Sequence, residues 1–308
     1  MWFKQIQVFQ LTSPIKYTAM GLHERLLPFA FTPCSPSMAQ SSGWVSPVDE
    51  PDAPLSRGLN GCFLIQLQIE EKILPASVVN HALKEKVKQI SASEGRKLGK
   101  SEKARLKDET THTLLLRAFS KFTQISAYID TRHQWLVVNS ASASRTETFL
   151  TMFKKAFGDG IATPEFIKPS SLTTQWLKDE KYPDTLSIEK ACVLQDPNVQ
   201  HRVIRCQEQN LFSPSIQGLV KEGCQAIQLQ LCWQDRLRFT IADDFIMKGL
   251  RIAEEDTIEL NDQLETKQEK FDADLLIMSE LHAGLMKDLF EIFDKNRGQA
   301  GAMTATAA

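Results

Sequence analysis

The sequence lacks any run of about 18 consecutive apolar residues, the length that a helix needs to cross a membrane. Residues 1–16 alternate polar and apolar side chains, and they lack the continuous apolar stretch of a signal peptide. We therefore expect a cytoplasmic protein with no membrane partner.

Motifs that hold metals or staple small folds are also missing. The six cysteines form no CxxC pair, and none of the six histidines lies in an HExxH motif. Cys224 and Cys232 fall on one face of a predicted strand, which indicates packing in the core rather than metal ligation. The sequence predicts no metal site and no cofactor.

A strong net charge is absent too, because the 308 residues sum to −2. The charge is nevertheless unevenly distributed. Residues 84–107 carry nine Lys or Arg and three Glu, a local charge of +6, whereas residues 235–274 carry twelve acidic and six basic side chains, a local charge of −6. A nearly neutral total therefore conceals one strongly basic segment.

The hydrophobic patterns mix short strands with helices and show no regular strand–helix–strand alternation. This predicts an α+β fold with mainly antiparallel sheets and flanking helices. Pro75 opens a predicted helix with an apolar face, a joint at Gly95–Gly99 follows, and a second helix covers residues 101–116. This helical hairpin is inserted between predicted strands at residues 62–74 and 122–129.

The basic segment coincides with the hairpin. If the helix around residue 100 is continuous, Arg96, Lys100, Lys103 and Lys107 lie on one face at spacings of four, three and four residues. Such a stripe can follow a phosphate backbone by charge alone, and Lys97 adds to it. The alternative is a solvated hairpin whose lysines only maintain solubility.

Two patterns resemble enzyme motifs without matching them well. Gly95–Ser101 has three residues between its glycines, whereas a phosphate-binding P-loop needs four and a preceding strand. Asp52, Glu70 and Lys72 resemble the acidic–acidic–lysine set of Mg²⁺-dependent nucleases. Asp52 lies in a proline-rich stretch, which favours a charged turn over a metal site. A nuclease and a module that binds only protein both remain alternatives.

Several segments carry a resemblance to a known family. They are Trp2–Lys4, Phe29–Cys34, Gly43–Val45, Glu70–Pro75, Leu106–Glu109, Arg117–Phe122 and Phe271–Asp274. In order and spacing, this set resembles the RdgC family of recombination-associated proteins over nearly the whole chain.

The resemblance implies a non-enzymatic, nucleoid-associated homodimer that forms a ring around duplex DNA without sequence preference. Single-stranded DNA is a second ligand to consider. The ring is expected to limit the access of the RecA recombinase to DNA and so to modulate recombination and replication-fork repair. The implied organisation is a central α+β region at 1–74 and 118–168, a helical tip at 75–117, and a second α+β region at 169–308. This last region ends in a helix and a disordered tail.

The resemblance also assigns residues. Phe119 occupies the aromatic position of one dimer contact, Arg96 a basic position of the tip, and Gln209 a polar position linked to DNA binding. For Phe119 the alternative is a side chain that plugs its own subunit's core. Gln207 and Glu208 replace lysines typical of the family, which weakens the expected DNA contact near Gln209.

Overall fold

A computed structural model of the chain describes residues 2–50, 52–199, 202–252 and 266–294. It contains the helices α1 (Ala19–Leu26), α2 (Ala76–Glu94), α3 (Lys100–Leu115), α4 (Ala143–Phe157), α5 (Pro169–Asp179), α6 (Pro214–Lys221) and α7 (Lys267–Phe293). Its strands are β1 (Gln5–Leu11), β2 (Gln40–Val45), β3 (Ser56–Leu59), β4 (Cys62–Lys72), β5 (Ser120–Asp130), β6 (Trp135–Val138), β7 (Ile161–Ala162), β8 (Leu186–Gln195), β9 (Val203–Cys206), β10 (Gln225–Trp233), β11 (Leu237–Ala242) and β12 (Met247–Ile252).

The strands form one twelve-stranded sheet with the order β2-β4-β5-β6-β1-β12-β11-β10-β8-β9, with β3 paired to β4 and β7 to β1. Every pairing between these strands is antiparallel. Strand β1 lies between the two halves of the chain, because Val8 pairs with Val137 of β6 and Ile6 pairs with Met247 of β12. The predicted α+β class with mainly antiparallel sheets is confirmed.

Two hydrophobic clusters lie against this sheet. One joins Leu22 of α1 and Phe149 of α4 to Ile65 of β4 and other side chains of the same face. The other gathers the strands of the second half with α5, α6 and α7, and it reaches Tyr128 of β5. Because strand side chains alternate between faces, β4 and β5 contribute to both clusters.

Helix α7 connects the second cluster to the first half of the chain. A capping box opens it, in which Thr266 and Glu269 bond to each other's backbone N–H groups. Further along the helix, Asp272 accepts two hydrogen bonds from Arg57 of β3, and Glu280 is ion-paired with Arg132. These contacts hold α7 across the end of the first half of the sheet.

The proline-rich stretch at 32–60 contains more structure than the sequence predicts. Trp44 and Val45 end strand β2, and residues 56–59 form strand β3. Gly43 explains the tight course of the chain, since a Cβ there would lie 2.4 Å from the Phe31 Cα. Backbone pairing therefore orders residues whose composition indicates loop.

Other sequence predictions have mixed outcomes. Cys224 and Cys232 are both buried, as expected for packing. Within the described ranges, no helix combines the length and the apolar character needed to cross a bilayer. The predicted disordered tail and much of the acidic stretch at 235–274 lie outside those ranges.

Candidate nucleic-acid interface

The predicted helical hairpin is present as α2 and α3, which pack against each other. Each helix buries little: Val79 is the buried residue of α2, and Thr110 is that of α3. The apolar side chains Leu83, Val87 and Ile90 of α2 are half-buried. Most of the hairpin surface is therefore exposed, and it carries the charges of the basic segment.

The joint of the hairpin is built on glycine and one leucine. Gly95 ends α2 in the left-handed conformation at φ +64°, where a side chain would be strained. Leu98 is the buried residue of the joint, and Gly99 caps the start of α3. The chain therefore turns sharply between the helices, as the predicted joint at Gly95–Gly99 requires. The condition for a stripe of four residues, a continuous helix around residue 100, is not met.

This turn removes Arg96 from the predicted stripe. Arg96 lies in the joint, where its guanidinium donates two hydrogen bonds to the Glu102 carboxylate, at 2.9 and 2.7 Å. It also pairs with Glu94 at 2.8 Å. The hydrogen bonds from Arg96, together with one from the Gly99 backbone N–H, lower the pKa of Glu102 to about 2. Arg96 is thus a structural cation that ties the joint to α3.

The other predicted basic residues of the hairpin are open to solvent. Lys100, Lys103 and Lys107 lie on one face of α3 at spacings of three and four residues, and all three are exposed. Lys97 is exposed in the joint. All five predicted basic side chains of the hairpin are therefore exposed, but Arg96 is ion-paired within the subunit, and three of the others form a shortened stripe.

The hairpin presents further cations that lie outside the predicted stripe. Lys84 and Lys88 are exposed one turn apart on α2, and Arg105 is exposed on α3. The signal that could have identified them is the local charge itself, since all three lie in the basic segment. The positive surface of the hairpin is therefore wider than one stripe.

Phe119 lies just after the hairpin, immediately before β5, and its side chain is 84% exposed. Its backbone carbonyl accepts a hydrogen bond of 2.7 Å from Ile73, which fixes the chain at that point. Leu116 and Phe122 are at least half exposed beside it in sequence. The interpretation that Phe119 plugs its own subunit's core is wrong.

Gln209 lies in the second half of the chain, in the loop between β9 and α6. Its side chain is exposed, and its backbone N–H donates to the Lys190 carbonyl of β8 at 3.2 Å. The neighbouring Glu208 adopts a positive φ of 51°. The loop therefore presents Gln209 to solvent from a fixed backbone, beside an acidic side chain.

The acidic–acidic–lysine set does not assemble on the sheet. Glu70 is paired across β4 with Ser41 on one side and Phe122 on the other, whereas Asp52 lies in the loop before β3. The Glu70 carboxylate accepts hydrogen bonds from the Ser120 hydroxyl at 2.5 Å and the Cys34 backbone N–H at 2.7 Å. These bonds lower the pKa of Glu70. Among the residues that the structure describes, no group of three or more His, Cys, Asp or Glu could hold a metal.

Comparisons with known proteins agree over almost the entire length. The family model described as "Putative exonuclease, RdgC" matches residues 1–296. A protein of Serratia proteamaculans named "Recombination-associated protein RdgC" is 36% identical over 296 residues, which cover 94% of this chain and 97% of that protein. Proteins of the same name from Yersinia enterocolitica and Yersinia pestis are 35% identical over 300 residues, with the same coverage.

Proposed function

The chain belongs to the RdgC family of recombination-associated proteins, and on this basis we propose that it binds duplex DNA without sequence preference. In this proposal the protein is a ring-shaped homodimer that encircles DNA in the nucleoid. By occupying the duplex it limits the access of RecA and so modulates recombination and replication-fork repair. It performs no catalysis of its own.

The observation that carries the proposal is the exposed lysine face of α3, made by Lys100, Lys103 and Lys107. Ammonium groups that contact phosphates release condensed counterions, and this gain does not depend on base sequence. Base reading requires side chains presented into a groove by a recognition element, and the sequence contains no established motif of that kind. A surface that contacts DNA through lysines only therefore favours binding that is tight at low salt and independent of base sequence.

Phe119 supports the closed ring. A phenylalanine that is 84% exposed costs solvation free energy in an isolated subunit, and aromatic anchors of this kind are frequent hot spots of interfaces. We assign Phe119 to the contact between two hairpin regions, with the second ring contact made by the C-terminal half.

Gln209 is assigned to a second, weaker DNA contact, because Glu208 beside it disfavours phosphate. Residues 75–117 are then the tip, between a central and a second α+β region.

The proposal is tested by measuring DNA affinity at several salt concentrations on random and on fixed duplex sequences. Each phosphate contact contributes about −0.9 to the slope of log K against log salt concentration, so several contacts give a slope steeper than about −3. A shallow slope, or a strong preference for one sequence, would contradict the proposal. Absence of DNA binding even at low salt would instead favour a module that binds an acidic protein.

A Mg²⁺-dependent nuclease is the second candidate, and the description of the matching family model as an exonuclease favours it. Its residues would be Asp52, Glu70 and Lys72. Against it stands the hydrogen bonding of Glu70, whose two carboxylate oxygens are engaged by Ser120 and Cys34. Cleavage of plasmid DNA by the pure protein with Mg²⁺ separates this candidate from the leading one.

A further inference from the structure

A groove of about 700 Å³ lies on the sheet face opposite the cluster that holds α1 and α4. Its floor is formed by Gln66 of β4 with Gln124 and Ser126 of β5, and its wall by residues 45–50, which follow β2. The side chains of Ile65 and Leu67 point to the opposite face, into the cluster with α4. Strand alternation therefore directs Gln66 into the groove.

The floor contains two polar side chains without hydrogen-bond partners. Gln66 and Ser126 are direct cross-strand partners, and they are 7% and 6% exposed. Neither side chain is hydrogen-bonded to another residue within the described ranges, whereas the neighbouring Gln124 and Gln68 bond to each other at 3.0 Å. Side chains this deeply buried usually have a protein partner, so an amide and a hydroxyl that are left to face one groove indicate a polar ligand.

The wall sets the charge of that ligand. Asp49 and Glu50 contribute carboxylates, and none of the described residues that line the groove is a lysine, arginine or histidine. Glu50 accepts two hydrogen bonds from the Gln268 amide, at 2.7 and 2.9 Å, whereas the exposed Asp49 is without a partner in the described part of the chain. Phosphates and other anions are repelled by this wall, so the groove is distinct from the lysine face of α3.

We propose that the groove binds a primary alkylammonium group, carried by a free polyamine or by a lysine side chain of a protein. An ammonium group has three N–H donors and no acceptor, and it can donate to a carboxylate, an amide oxygen and a hydroxyl oxygen. The Asp49 carboxylate, the Gln66 Oε1 and the Ser126 Oγ supply these acceptors from the wall and the floor. Recognition depends on hydrogen bonds to the floor as well as on charge.

The test is a calorimetric titration of the full-length protein without DNA, using spermidine, Nα-acetyl-lysine amide and tetramethylammonium. Spermidine, acetyl-lysine amide or both should bind saturably at one site per chain, whereas tetramethylammonium, which has no N–H donor, should not. Asp49→Asn and Gln66→Leu should each weaken binding about tenfold, because each removes an acceptor of a charged hydrogen bond. Binding of acetyl-lysine amide but not spermidine would identify a protein side chain as the source.

Asp184→Asn is the matched control, since Asp184 is an exposed acid outside the groove. It should leave binding unchanged. Asp49 is exposed, so its variant tests the site even if Gln66→Leu fails to fold. Three results would overturn the proposal. Tetramethylammonium could bind as tightly as the amines, Asp184→Asn could weaken binding as much as Asp49→Asn, or neither amine could bind saturably. DNA affinity should be unaltered in Asp49→Asn, so the amine site and the proposed DNA binding can fail separately.

Discussion

Arg96 and Glu102 form a two-pronged ion pair across the joint of the helical hairpin, with Nη1–Oε2 and Nη2–Oε1 distances of 2.9 and 2.7 Å. The pair closes a turn between two helices, and it neutralises a cation that lies between exposed lysines. Because both guanidinium prongs are used inside the subunit, Arg96 has less to offer a phosphate than Lys100 or Lys103. The positions in the basic segment are therefore not equivalent.

Replacing Lys100, Lys103 and Lys107 together by alanine should weaken DNA binding. The salt slope should become shallower by about 0.9 for each phosphate that the protein no longer neutralises. The double variant Arg96→Ala with Glu102→Gln removes one charge of each sign and should stay near wild-type affinity. Fluorescence anisotropy on a short duplex at several salt concentrations measures both.

Lysines outside the hairpin provide the control. A triple alanine variant at the exposed Lys155, Lys168 and Lys178 removes the same net charge and should change the slope less. Equal effects of the two triple variants would show that total charge, and not the α3 face, determines binding.

Phe119→Ser should leave the melting temperature nearly unchanged, because substitutions at exposed sites usually alter stability by within about 0.5 kcal/mol. Retention on circular DNA under a salt challenge should fall more than binding to short linear duplex. The reason is that opening one ring contact removes the topological barrier and keeps most phosphate contacts.

Two control variants accompany this experiment, one at a buried phenylalanine and one at an exposed methionine. Phe149→Ser empties a fully buried site beside Trp44 and should cost about 3–5 kcal/mol of stability. Met20→Ser changes another exposed apolar residue and should not affect retention. If Phe119→Ser retains circular DNA as wild type does, the ring contact is elsewhere.

Stability should fall steadily as the pH drops from about 6.5 towards 3, and His282 should account for part of the slope. Burial lowers the pKa of His282 to about 3, and its ring lies 3.3 Å from the Tyr128 hydroxyl. Between the unfolded and folded values the unfolded chain binds the extra proton, which costs up to about 1.4 kcal/mol of stability per pH unit. Urea unfolding at pH values from 4.5 to 7 measures the slope.

The variant His282→Gln removes this titration, so its stability should depend less steeply on pH than that of the wild type. His112 is exposed on α3, and His112→Gln should keep the wild-type slope. A wild-type slope in His282→Gln would mean that other groups carry the pH dependence.

Glu70→Gln should lower the melting temperature and leave DNA uncut, as in the wild type. The carboxylate joins the Cys34 backbone N–H to the Ser120 hydroxyl, and these bonds favour its charged form. Because the folded pKa is lowered, this contribution is present at neutral pH and lost in acid. Plasmid cleavage with Mg²⁺ and a thermal melt are the paired measurements.

Glu71 is the neighbouring exposed acid, and Glu71→Gln should be close to wild type in both measurements. The nuclease would be established instead if the wild type cuts DNA with Mg²⁺. The cutting would then have to disappear in Glu70→Gln and persist in Glu71→Gln.

Local sequence signals predicted the two helices of the hairpin and the strands that flank it, since periodicity and proline placement act within one helix or strand. The end of α2 at Gly95 shows the limit of these signals. The glycines indicated a joint, whereas the stripe of four basic residues required a continuous helix around residue 100. The pairing of Arg96 with Glu102 decides between the two, and it depends on a turn whose geometry no local pattern specifies.

The candidate site was predictable where charge and exposure suffice, as for Lys97, Lys100, Lys103 and Lys107. It was not predictable where long-range packing determines the outcome. Gln66 and Ser126 are sixty residues apart in sequence, and only the register of β4 with β5 makes them partners. Strand sequences that alternate in this way are common, so nothing in either segment marks these two side chains as unpaired.

Strand β1 lies between β6 and β12 in the sheet, and it is synthesised before both of them. Its pairing with β6 can form once residues 135–138 have left the ribosome, and β7 can then pair with Gln10 and Leu11 at its other edge. The part of that edge at Gln5 and Ile6 remains open until residues 247–252 follow. More than a hundred codons separate the two events, and an open strand edge invites pairing with other chains. We expect nascent chains stalled in this interval to depend on chaperones more than shorter or longer ones.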